Sequence, residues 1–129
     1  MRTIYICLLL IISFSFSGCR KSVYLKYVLI NESGFDLNVE VNADSKRSFV
    51  LKPKTYEEIY NVHYKTWSKI GTQASIYIKE LNITNDKNVK IKKDFRNQDN
   101  WQPESFTRTK NIREEDHLIY LFFIENSDF

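Results

Sequence analysis

Glycine, proline, histidine and cysteine are all scarce in this 129-residue chain, and each scarcity removes a class of chemistry. The three glycines, Gly18, Gly34 and Gly71, cannot build a glycine-rich phosphate cradle, and there is no Gly-x-Ser-x-Gly nucleophile elbow. The two histidines, His63 and His117, stand apart from any ligand at zinc-site spacing, so they read as surface or strand-end residues and no metal site is expected. The two prolines, Pro53 and Pro103, cannot donate to a sheet ladder and belong at edges or in connections. An excess of one charge is also missing. Nineteen basic residues face 16 acidic ones, interleaved along the chain, which argues against a nucleic-acid partner.

Cysteine is confined to Cys7 and Cys19, and both fall in or beside an apolar N-terminal run. Arg2 supplies a positive n-region, Ile4 to Phe16 an apolar h-region, and Ser17 and Gly18 are small residues directly before Cys19. The run meets Ser13, Ser15 and Ser17 and turns polar at Arg20-Lys21. It is too short for the roughly 20 apolar residues of a spanning helix, which weighs against an uncleaved anchor helix. Phe16-Ser17-Gly18-Cys19 resembles the bacterial lipobox, with phenylalanine where leucine is commoner. The resemblance implies cleavage between Gly18 and Cys19 and lipidation of the Cys19 thiol. Two or three acyl chains, at about 0.8 kcal/mol per buried CH₂, hold a protein stably on a membrane. Residues 1–18 are then a lipoprotein signal peptide, 19–22 the lipidated cysteine with a short tether, and 23–129 one domain. Losing Arg2 lowers the net charge from +3 to +2. The domain keeps no thiol, so its core must hold without a disulfide.

Short apolar runs bounded by turn chemistry fill the remainder. Val23 to Ile30 is apolar on both faces apart from Lys26, and Asn31 to Gly34 supplies a turn, which predicts a hairpin with the next strand. In that strand Phe35, Leu37, Val39 and Val41 alternate with Asp36, Asn38, Glu40 and Asn42, the clearest period-2 pattern present. Arg47 to Lys52 and Thr55 to Tyr60 follow as strands, and Asn61 to Thr72 reads as a long connection. Ala74 to Thr84 reads as a strand whose apolar parity changes near Lys79-Glu80, predicting a β-bulge. Val89 to Lys92 would complete a hairpin with it. Lys93 to Pro103 is a polar loop, Ser105 to Lys110 a strand, and His117 to Glu125 a closing strand apolar on both faces, placed centrally or against a partner. With no sustained 3.6-residue period after the signal, the expected fold is all-β: a single antiparallel Ig-like β-sandwich of about seven strands.

The remaining candidates for chemistry are carboxylates and rings. Glu57-Glu58 and Glu114-Glu115-Asp116 are acidic clusters, and a glycosidase needs two carboxylates across a cleft. Adjacent acids on strands more commonly protect an edge. Asp94, Asn97, Asp99 and Asn100 make an oxygen-rich loop without the spacing of a calcium loop. Tyr64, Trp67 and Trp101 lie in connections, where exposed rings would stack on sugars, and the competing assignment is that they cap the ends of the core.

Taken together, the lipobox, the Tyr27 to Ser33 segment leading to Phe35-Asp36-Leu37, the Phe49 to Lys54 element and the closing Tyr120 to Phe129 resemble the small Bacteroides-type lipoproteins of unknown function. In those, an "aliphatic-x-Asn-x-Ser" strand, a "Leu-x-Pro-Gly" turn and a C-terminal aromatic strand recur. This chain departs in having Lys54 for the glycine and Phe129 for the tyrosine. The resemblance implies a non-catalytic protein without cofactor. Arg20-Lys21-Ser22, in place of the acidic residues that follow the cysteine in surface-exported relatives, implies an outer-membrane location facing the periplasm. The expectation is a membrane-anchored binding or structural module of the envelope with a protein partner, or alternatively a glycan-binding accessory lipoprotein.

Overall fold

A computed structural model of the chain describes residues 22–65, 71–110 and 113–129. The signal segment, Cys19 and Trp67 lie outside the described residues. No helix among the described residues is long and apolar enough to cross a membrane.

Strand β1, Ser22–Asn31, shows why the fold is a two-layer one. Val23, Leu25, Tyr27 and Leu29 are fully buried, whereas on the other face Tyr24, Lys26 and Ile30 are only half covered and Val28 alone is buried, so one face of the strand is core. Six further strands follow among the described residues: β2 Leu37–Asn42, β3 Lys46–Leu51, β4 Tyr56–Tyr64, β5 Glu80–Thr84, β6 Gln102–Lys110 and β7 Arg113–Ile124. They form a four-stranded sheet in the order β4-β1-β7-β6 and a three-stranded sheet in the order β3-β2-β5. Apolar side chains of both sheets share one core, with Leu25, Tyr27, Leu29, Phe122 and Ile124 from the first and Leu37, Val39, Val41 and Ile83 from the second. The all-β sandwich of seven strands is therefore as expected. Its pairing is mixed, because β1 and β7 run parallel in register from Ser22–Glu115 to Asn31–Ile124 while every other pair is antiparallel.

The expected β1–β2 hairpin does not form. Asn31 turns the chain out of one sheet and into the other. Its buried amide donates to the carbonyls of Phe35 (2.8 Å) and Leu51 (2.9 Å), and its Oδ1 accepts from the Ser33 N–H (3.0 Å) and hydroxyl (2.6 Å). Its backbone carbonyl takes the N–H of Lys54 at 2.8 Å, and Glu32 N–H reaches Ile124 O at 2.8 Å. Phe35 meets Phe129 edge to face at 6.0 Å. The three short motifs read in the sequence are thus neighbours at one corner of the sandwich. Lys54 there has φ 59°, a left-handed conformation that glycine adopts freely and that costs an L-residue about 1–2 kcal/mol.

Two other expectations change. Ala74–Tyr77 is one helical turn, α1, rather than the start of a strand. Ala74 and Ile78 are buried and Ile76 is 56% exposed, so the parity change marks the end of a turn of helix and not a bulge. The actual irregularity lies opposite Tyr27/Val28, where β4 carries the extra residue Ile59. The second hairpin reduces to a single bridge, Thr84 to Lys90, closed by Asn85, whose Oδ1 accepts from Lys87 and Val89. The connection expected over 61–72 begins later, because β4 continues through Tyr64.

Candidate functional site

The outward face of the four-stranded sheet collects the side chains with the most binding character. Its rows follow from strand register. Tyr56, Ile30 and Phe123 form one row, Glu58, Val28, Leu121 and Gln102 the next, Asn61, Lys26, Ile119 and Glu104 a third, and His63, Tyr24, His117 and Phe106 a fourth. The two central strands thus present Ile30, Ile119, Leu121 and Phe123, all half-buried, between flanking strands that carry charge. Tyr56 is 74% exposed at one border and Phe106 52% at the other. Lys26 donates to Glu58 at 2.8 Å across this face. Burial pushes the Glu58 carboxyl up, but hydrogen bonds from Lys26 and Asn61 and the charges of Lys26 and Arg47 outweigh it, so it sits below the usual carboxylate range.

In the fourth row the rings stack continuously. Tyr24 lies 4.3 Å from His63 and 4.8 Å from His117, each at an interplanar angle of 8°, and Phe106 lies 4.6 Å from His117 at 4°. These spacings match the distance between neighbouring strands, so four strands hold four parallel rings standing on edge. Each such contact adds about 0.5–1.5 kcal/mol. The interior rings spend both faces on one another, which leaves free faces only at the ends, on Phe106 and His63. His117 Nε2 is buried without a hydrogen-bond partner among the described residues, and Glu115 Oε2 lies 3.9 Å away.

The residues singled out in the sequence are dispersed. Trp101 is 2% exposed, packs edge-on against Tyr27 at 5.1 Å and donates its indole N–H to Phe95 O at 2.7 Å, so it caps the core and offers no face to a sugar. Tyr64 is half-buried with its hydroxyl 3.3 Å from that of Tyr77. These rings belong to an inner aromatic cluster of Tyr27, Tyr60, Tyr77 and Tyr120, in which Tyr27 donates to Thr72 O and Tyr77 to Gly71 O. Burial, reinforced by the neighbouring phenols, raises the pKa of Tyr27 and Tyr77, and burial with the nearby Asp44 carboxylate raises that of Tyr60.

The acidic clusters do not meet. Glu58 pairs with Val28 and Glu115 with Ser22 on the same strand, a separation of about 20 Å along β1, well beyond the roughly 5–9.5 Å of glycosidase carboxylates. Glu57 is bound to Arg47 and Thr107 donates to Asp116. In the oxygen-rich loop, Asp94 Oδ1 accepts from Arg96 N and Asn97 Oδ1 from Asp99 N, so both shape the loop itself. An open polar groove of about 410 Å³ lies between the β2–β3 turn and β4. Its Arg47 is engaged by Glu57 and by the Glu58 carbonyl.

Sequence reading missed the ring row. Its members lie on four strands and no pattern within any one strand links them. The one available signal was that His63, Tyr24, His117 and Phe106 each occupy an outward position of their own strand. Compared with family models, curated proteins and solved structures, the chain matches none.

Proposed function

We propose that this chain is a bacterial lipoprotein of the small Bacteroides type, anchored through Cys19 to the outer membrane and facing the periplasm. There it acts as a non-catalytic module that holds an envelope protein on the outward face of the β4-β1-β7-β6 sheet. The observation that carries the binding reading is the apolar centre of that face, Ile30, Ile119, Leu121 and Phe123, on two central strands and framed by charged and aromatic side chains. A solvated outer face has no need of four such residues in adjacent rows. The membrane reading rests on the Arg2 to Cys19 segment. Only Arg20 and Lys21 separate Cys19 from β1, so a lipid there would keep the sheet close to the bilayer.

Three measurements test this. Cells expressing the full chain and fed a labelled fatty acid should incorporate label into it and lose that label with Cys19→Ser; unlabelled protein in the soluble fraction would refute the anchor. Protease added to intact cells should leave the chain uncut, and ready digestion would overturn the inward orientation. A photo-crosslinking side chain at position 121 should trap a protein of different mass from the chain itself, while one at Glu40, on the exposed face of the other sheet, should not. Equal trapping from both positions would remove the argument for this face.

A further inference from the structure

The fourth strand of the larger sheet ends in an open edge. β6 is terminal in the order β4-β1-β7-β6, all nine of its residues are exposed, and its pairing with β7 runs unbroken from Gln102–Leu121 to Lys110–Arg113. The other edge of that sheet, β4, is interrupted by the extra residue Ile59. Long regular edges are ordinarily protected by bulges or by charges that repel a second strand. β6 has no bulge, its one proline, Pro103, lies next to its first residue and leaves Glu104 to Lys110 free to pair, and its charges, Glu104, Arg108 and Lys110, differ in sign.

We infer that β6 pairs antiparallel with β6 of a second copy of this chain, about a twofold axis at Phe106. This reading is independent of the lipid anchor and of the partner proposed above. In this register Phe106 meets Phe106 of the second copy, Glu104 stands opposite Arg108 twice, and Gln102 stands opposite Lys110. On the outward face no like charges oppose one another. The same register presents the free ring face of Phe106 to its counterpart at the spacing of neighbouring strands. The four-ring rows then join into one row of eight, from His63 to His63 across an eight-stranded sheet. Pro103 has no N–H to give, so the nine paired residues add about six main-chain hydrogen bonds to an edge that otherwise relies on water. A twofold dimer of this kind uses one patch twice, so a self-complementary charge pattern is what it requires.

The test uses the full-length chain, with the parent, whose cysteines are Cys7 and Cys19, as background. Under mild oxidation Phe106→Cys should give a disulfide-linked dimer well above that background, and Ser105→Cys and Thr107→Cys, on the opposite face, should not. Two differently tagged copies should co-purify. Glu104→Arg or Arg108→Glu alone should weaken that association about tenfold or more, since each turns two attractive cross-strand pairs repulsive. The double exchange Glu104→Arg/Arg108→Glu should restore it. These positions are exposed, so the fold is not at stake. Absence of a Phe106→Cys dimer, stronger linkage at Thr107→Cys, or failure of the double exchange to restore association would each overturn the proposal.

Discussion

Asn31 is the residue on which most of the corner depends, because a single buried amide satisfies four partners, three of them in buried hydrogen bonds. Its two donors hold Phe35 O and Leu51 O, which belong to the approach to β2 and the end of β3, and its oxygen holds both polar groups of Ser33. Each buried polar group left unpaired costs about 1–3 kcal/mol. Asn31→Ala should therefore destabilise by about 3 kcal/mol or more, read as a lower urea midpoint. Asn31→Asp should cost at least as much at neutral pH, because a carboxylate keeps the acceptor but turns a second oxygen toward two carbonyls. Part of that loss should return on acidification: burial raises the introduced carboxyl's folded pKa, so its stability is complete below its unfolded pKa of about 3.9 and is lost as pH rises. An Asn31→Ala variant as stable as the parent would show that the corner is held by something else. Lys54 belongs to the same corner, where its Nζ reaches Glu32 and its N–H reaches Asn31 O, contacts that offset its left-handed backbone.

Among the elements, α1 separates two physical readings that the sequence leaves degenerate. Ala74, Ile76 and Ile78 satisfy a period of two, and Ala74 and Ile78 also satisfy a helical i, i+4 spacing. A strand would bury all three, whereas the helical turn buries only Ala74 and Ile78. Ile76→Asp should accordingly change stability by less than about 1 kcal/mol, and Ile78→Ala should cost about 2–5 kcal/mol, both by denaturant titration. A severe effect of Ile76→Asp would favour the strand. The same reasoning explains what could be read in advance. Leu37, Val39 and Val41 declared β2 because one face of that strand is buried and the other wet, and the long apolar run of β7 declared a central strand, which lies between β1 and β6 with one face toward the core and the other half-buried. The ring row and the parallel β1–β7 pair were hidden, since the β4–β1 and β1–β7 pairings join segments roughly 40 and 93 residues apart, which local alternation does not encode. Trp101 is the core-capping ring that the sequence allowed for, and what the sequence could not supply was its contact, since its loop has to fold back onto Tyr27.

The molecule as a whole is stapled by no disulfide among the described residues, so its resistance to unfolding rests on packing, and the inner tyrosine cluster makes that packing sensitive to alkali. Tyr27, Tyr60 and Tyr77 have pKa values raised above the ordinary tyrosine value of 10.0, burial being the first cause in each. A phenol held neutral in the fold but free to ionise in the unfolded chain leaves stability unchanged below pH 10. Above that, the unfolded state gains by losing its proton and the folded state does not, so stability falls as pH rises toward the folded value. In an alkaline titration followed by phenolate absorbance, Tyr27, Tyr60 and Tyr77 should ionise only as near-UV circular dichroism collapses. Tyr27→Phe gives up the hydrogen bond to Thr72 O and should cost about 1 kcal/mol at neutral pH, yet it should lose less further stability than the parent between pH 9 and 11. If Tyr27, Tyr60 and Tyr77 ionise near pH 10 with the fold retained, the cluster is open to water and the core must be held from elsewhere.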